Sequence, residues 1–213
     1  MFCIGTVLLT VCILSLRFAV PAYRHQSAIR ELTRREARVT LHNDHPTWVP
    51  ARFVEAWGQC FGKVEMVAWY NPGDRAGSLA ALSALSDLEL LYITDTPIGP
   101  SELAHLQPLH KLKLLHLDGT RVADADIVHL QRLPSLHELS LANTPISDAG
   151  VAHLADMPQL EQLCLNGTRV TTEGLSALKG LPRLEFLNVR NTPAAKGDLS
   201  EWRRARSTLI LLD

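Results

Sequence analysis

Aromatic residues are scarce in this chain: Phe, Trp and Tyr make up 6% of its 213 residues, alongside three methionines and four cysteines. A core of this size must then be built from aliphatic side chains. Cys3, Cys12, Cys60 and Cys164 follow no disulfide spacing and include no CxxC pair, which excludes small disulfide-stapled scaffolds and zinc ribbons. Charge of one sign is also lacking. Lys and Arg number 21 against 22 Asp and Glu, a net charge of -1, so there is no basic face of the kind nucleic acid requires. No glycine-rich phosphate loop, HExxH or GxSxG occurs, which removes those nucleotide, metalloprotease and hydrolase classes. Long apolar runs are missing except at the start, where residues 1–16 carry no charge.

What the chain does have is leucine, in a fixed phase. Thr96, Thr120, Thr144, Thr168 and Thr192 are each 24 residues apart, and eight residues before each stands Leu88, Leu112, Leu136, Leu160 or Leu184. Between them fall Leu91/Ile93, Leu115/Leu117, Leu139/Leu141, Leu163/Leu165 and Leu187/Val189, the period-2 alternation of a short strand with one buried face. After Ile98, Val122, Ile146, Val170 and Ala194 the spacing changes to three. Leu103/Leu106/Leu109, Ile127/Leu130/Leu133, Val151/Leu154/Met157 and Leu175/Leu178/Leu181 mark one face of a short helix. Each unit is thus strand, turn, helix, turn, and its apolar wedge finds a partner only in neighbouring units. Self-similarity of about 20–29 residues predicts an α/β solenoid of leucine-rich repeats. The crossover rule makes it right-handed, with a parallel sheet on the concave side and short helices on the convex side.

At the threonine column a hydroxyl can satisfy backbone groups buried in the bend; a simple preference for threonine in a tight β-rich stack is the other reading. The flanks alternate, with Asp95, Asn143 and Asn191 before one set of threonines and Gly119 and Gly167 before the other. Duplication of a two-repeat unit and local turn chemistry both account for that superperiod.

These columns resemble bacterial leucine-rich-repeat proteins whose units read T-x-[IV]-[ST]-D-x-G-[LV]-x-x-L. Thr144-Pro145-Ile146-Ser147-Asp148-Ala149-Gly150-Val151 matches in full, Thr120 to Ile127 departs with Asp126 in the glycine position, and Thr168 to Leu175 keeps Gly174 but loses the aspartate. The likeness covers about residues 64–213. It implies a non-catalytic scaffold with no cofactor, and a single N-terminal hydrophobic segment.

The expected organisation is a transmembrane anchor at 1–23, a charged stalk helix and N-terminal cap at 24–63, and the repeat domain at 64–213. Its units run about 64–87, 88–111, 112–135, 136–159, 160–183 and 184–207, with a terminal strand at 208–213. Residues 64–87 form a degraded first unit, with Val64, Val67 and Trp69 in strand columns and Pro72 replacing threonine. Within the cap, 51–61 carries Phe53, Val54, Trp57 and Phe61 at helical spacing. The N-terminal run has neither a basic leader nor a small-x-small cleavage site, which favours an uncleaved single-pass anchor over a signal peptide. Arg17, Arg24, Arg30, Arg34 and Arg35 all follow it, so the positive-inside rule puts the repeat domain in the cytoplasm.

Two chemical temptations arise and neither carries a reaction. His105, His129 and His153 recur every 24 residues on the helical side, but no carboxylate or cysteine joins that column to complete a metal's ligand set. Ser140, His116 and Asp118 converge on the sheet, yet an open sheet offers no oxyanion hole and does not exclude water. The concave face reads instead as a recognition surface: Tyr92, Leu114, His116, Asp118, Glu138, Ser140, Gln162, Cys164, Phe186, Asn188 and Arg190. Its mix of aromatic, apolar and acidic groups suits a protein or peptide, a basic one by charge. Weak self-association is the alternative, through this face or through the apolar strand at 208–212, an edge of the kind that invites pairing.

Overall fold

The computed structural model describes residues 23–34, 37–42, 63–70, 79–98, 101–205 and 208–213. Eight strands form one sheet in chain order: β1 (Arg38–His42), β2 (Lys63–Tyr70), β3 (Leu90–Thr94), β4 (Leu114–His116), β5 (Glu138–Ser140), β6 (Gln162–Cys164), β7 (Phe186–Asn188) and β8 (Ile210–Leu212). β1 runs antiparallel to β2, and every later pair is parallel. Leu91, Leu115, Leu139, Leu163, Leu187 and Leu211 lie opposite one another across the parallel strands, so the register equals the sequence repeat.

The strands are short because the chain bends after each inward leucine pair, and backbone bonds then knit coil to coil. Lys113 N donates to Glu89 O at 2.8 Å, His137 N to Lys113 O at 2.9 Å, and Glu161 N to His137 O at 2.8 Å. Leu91, Leu115, Leu117, Leu141, Leu163 and Leu165 are fully buried, as are the helix-side residues Leu106, Leu130 and Leu154. Each such side chain contributes about 1.5–3 kcal/mol relative to exposure. The core is one continuous ribbon of aliphatic groups between the sheet and the helical side.

The threonine hydroxyls face inward and bond their own coil. Thr120, Thr144 and Thr168 Oγ1 each donate at 2.6 Å to the carbonyl three residues earlier, on Leu117, Leu141 and Leu165, and Thr192 donates to Val189 O at 2.5 Å. Thr96 differs, donating to Thr94 O at 3.0 Å.

Just before each threonine the backbone is left-handed: φ is 50° at Asp95, 67° at Gly119, 55° at Asn143, 69° at Gly167 and 57° at Asn191. Gly, Asn and Asp tolerate that region best. The alternation has a packing cause as well. The Asp95 side chain occupies the space that a Cβ on Gly119 would need, and Asn143 does the same above Gly167. A side chain in one coil therefore requires glycine in the next.

The helical side is less regular than apolar spacing suggests. Residues Leu79–Ala84, Glu102–Leu106 and Asp124–Arg132 are 3-10 helices, whereas Asp148–Leu154 and Thr172–Ser176 are α-helical. The two α-helices begin at the side-chain caps Ser147 and Thr171, which accept from Ala149 N and Gly174 N. Each cap is held in turn by the preceding coil. Asp124 accepts from Ser147 N at 2.8 Å and Ser147 Oγ at 2.6 Å, and Asp148 accepts from Thr171 N at 2.8 Å and Thr171 Oγ1 at 2.7 Å. Among the described residues, the coil before them has Ala123 in the cap column, without a hydroxyl. Asp126, in the glycine position, turns its carboxylate to Ser101 N at 3.1 Å and Ala123 N at 3.0 Å.

Residues 23–34 are helical, and Ala28 and Leu32 enter the common core. Ala37 N closes the helix end on Leu32 O at 3.0 Å. The charged helix thus keeps a solvated face but docks through an i, i+4 apolar pair, Ala28 and Leu32, onto the core. Residues 1–22 of the expected anchor at 1–23, the helix at 51–61 and the Pro72 turn lie outside the described residues. Among the described residues no helix is long and apolar enough to cross a membrane.

Candidate functional site

The sheet turns one face to the helices and leaves the other open. Strand pairing aligns two rows on that open face. One row is Met66, Leu90, Leu114, Glu138, Gln162, Phe186 and Ile210; the other is Ala68, Tyr92, His116, Ser140, Cys164, Asn188 and Leu212. Column arithmetic assigns all the expected contact residues on β3 to β7 to these rows. It also extends them to Met66, Ala68, Ile210 and Leu212, which the expected set omitted although 24-residue steps from Leu90, Tyr92, Phe186 and Asn188 reach them. Asp118 and Arg190 follow the rows, just past β4 and β7.

At the centre of the face, polar side chains hold one another across strands. The Tyr92 and His116 rings meet edge-on, with centroids 5.0 Å apart and planes at 69°. His116 Nε2 lies 3.1 Å from Glu138 Oε1, and His116 Nδ1 lies 3.8 Å from Asp118 Oδ2. Asp118 Oδ1 accepts from the Ser140 hydroxyl and from Ala142 N at 3.0 Å.

The serine, histidine and aspartate do come together, but in the wrong order for nucleophilic catalysis. Ser140 gives its proton to Asp118 instead of to the imidazole, and His116 bonds Glu138. A nucleophile needs its hydroxyl on the base. Ser140 keeps its place in the open-face row but is buried at 5% accessibility, with its hydroxyl on Asp118, whereas Tyr92, Leu114, Glu138, Cys164, Phe186 and Asn188 are half-buried and Gln162 and Arg190 exposed.

Between β4 and β7 lies a shallow depression of about 290 Å³, walled by His116, Glu138, Ser140, Gln162, Cys164 and Phe186, with the strand segments at Leu139 and Leu163, whose side chains are buried in the core, beneath it. Its volume is at the small end for ligand pockets.

On the helical side the histidines do not converge. His129 Nδ1 lies 3.2 Å from Gln107 Nε2, and the His153 carbonyl accepts from Gln131 Nε2 at 2.9 Å. Glutamines thus interleave with the histidine column.

This is a leucine-rich-repeat fold. It aligns with an internalin (inlF) of Listeria monocytogenes over 63% of this chain and 37% of that one, at 22% identity and a TM-score of 0.53. A second internalin of that organism, internalin C2 (inlC2), aligns over 70% of each chain at 20% identity and a TM-score of 0.50. The chain therefore spans little more than a third of the first internalin. No protein-family model matches this chain, and no curated protein does. The internalin likenesses concern the repeat fold alone.

Proposed function

We propose that this chain is a non-catalytic protein-binding scaffold that presents the open face of its sheet to a protein or peptide, held at a membrane by its apolar N-terminal run with the repeats on the cytoplasmic side. The observation that carries the binding role is the pair of in-register rows, with Tyr92, Leu114, Glu138, Gln162 and Phe186 accessible on consecutive strands. Rigid parallel strands fix the spacing of these groups before a partner arrives, which lowers the ordering cost of association. Aromatic groups set among polar ones match the make-up of binding hot spots. The anchor rests on the uncharged residues 1–16 and the arginines that follow them.

A photocrosslinking amino acid tests the face directly. Placed at Gln162 in the full chain within native membranes, it should give a discrete protein adduct, while the same group at Val128 on the helical side should give none. Adducts at Val128 alone would assign binding to the wrong surface.

A second reading, self-association, draws on the β8 end. Ile210 is 59% exposed there, and the buried indole N–H of Trp202 has no acceptor among the described residues. A mass that rises with concentration in sedimentation, and falls back on Ile210→Lys, would support it.

A further inference from the structure

Charge is unevenly spread over the open face. Near β3 and β4, Glu89 is matched by Lys113 at 2.6 Å. Across β5 to β7 the balance shifts: Glu138 on the face, with Glu161 and Glu185 at its rim just before β6 and β7, stands against Arg190, and neither Glu161 nor Glu185 takes part in a side-chain ion pair among the described residues. Of the carboxylates, Asp118 is committed to Ser140 and Ala142 N. Glu138 is not so committed. His116 engages its Oε1, and the group borders the depression with its side chain one-third exposed.

Opposite Glu138 in the same row, two strands away, stands the half-buried Phe186 ring. A shallow depression with a carboxylate at one wall and an aromatic ring at the other fits a long side chain carrying a planar cation. Arginine meets each requirement. Its stem covers apolar surface, its guanidinium forks onto a carboxylate, and it stacks on aromatic faces. A lysine ammonium would form the ion pair but stack less well, and an acidic residue would face the Glu138 carboxylate. A metal ion is disfavoured because no cluster of three ligating side chains occurs among the described residues.

We propose that the depression over β5 to β7 is the docking site for an arginine side chain of a protein partner, with Glu138 as its ion-pair acceptor and Phe186 as its stacking surface. This inference rests on the protein-binding role of the open face. It makes Glu138 and Phe186 specificity-determining and leaves Tyr92 and Leu114 as general contact area.

The test uses the full chain in detergent and an immobilised array of peptides of randomised flanks, printed in matched series with arginine, citrulline, leucine or glutamate at the central position. Citrulline keeps the shape and removes the charge, so the comparison does not depend on any protein variant folding. Arginine-centred peptides should bind about tenfold or more tightly than their citrulline matches. Glu138→Gln should bring that ratio to near one, and Phe186→Ala should lower it, while His153→Ala leaves it unchanged.

Equal binding of arginine and citrulline series, or a ratio that survives Glu138→Gln, would overturn the arginine site. If peptides of every series bind alike and Leu114→Arg abolishes them all, the face binds protein but not through arginine. If no series binds, the docking proposal falls and so does support for the face itself.

Discussion

The carboxylate of Asp148 occupies the space in which a Cβ on Gly174 would have to stand, while its two oxygens hold the Thr171 amide and hydroxyl at 2.8 and 2.7 Å. One coil's aspartate thus caps the next coil's helix, and the next coil's glycine makes room for it. Asp124 and Gly150 repeat the arrangement, with a Cβ on Gly150 falling 2.5 Å from Asp124 Oδ1.

That relationship makes a coupled prediction. Asp148→Ala should cost about 1–3 kcal/mol, because it strands the polar groups of Thr171. Gly174→Ala should cost a similar amount in the wild-type chain by crowding the carboxylate. In the Asp148→Ala background, Gly174→Ala should cost far less or even stabilise, since alanine favours helix over glycine by about 0.5–1 kcal/mol. A double-mutant cycle by urea denaturation measures this, and additive costs would show the two positions to be independent.

The aliphatic ribbon predicts where truncation hurts. Leu139→Ala, Leu141→Ala and Leu163→Ala, all at 0–1% accessibility, should each cost about 2–5 kcal/mol. Gln162→Ala, next to Leu163 in the chain but on the open face and exposed, should fall within about 0.5 kcal/mol of wild type. Chemical denaturation of the four variants checks both halves of the statement.

Removing one threonine hydroxyl isolates its bond. Thr168→Val keeps the shape but leaves the Leu165 carbonyl without the donor it has at 2.6 Å, for a loss of about 1 kcal/mol. Thr144→Val should match it. A loss below measurement error at both sites would mean that threonine serves shape alone.

How much of this was legible beforehand depends on the kind of interaction. The buried leucines and the two face rows follow from period 2 inside a period of 24, because stacking puts equivalent residues on neighbouring strands. Contacts between non-equivalent columns were harder to see. The Asp148 to Thr171 clamp joins the fifth residue of one turn to the fourth of the next, and its only sequence signal was the S/T-D-x-G string itself. Burial of Ser140 was invisible because it depends on Asp118, one coil away and two columns on. The docking of residues 23–34 was hidden by their arginines and glutamates, although Ala28 and Leu32 carried the signal.

The anchor is tested by extraction. Full-length chain should stay with membranes in alkaline carbonate, whereas a chain beginning at Tyr23, which keeps the docked helix, should be recovered in the supernatant. A mature protein whose sequence starts near Pro21 or Ala22 would instead make the run a cleaved leader.

The account stands or falls on which surface binds. Quantitative affinity capture from native membranes should compare wild type with the Tyr92→Ala/Phe186→Ala pair and with the His105→Ala/His129→Ala/His153→Ala triple, each checked for unchanged melting. The account predicts that the aromatic pair loses its captured protein by about tenfold or more, as truncated hot spots do, while the histidine triple retains it. Loss of the partner from the histidine triple with full retention by the aromatic pair would contradict it and move the binding surface to the helical side.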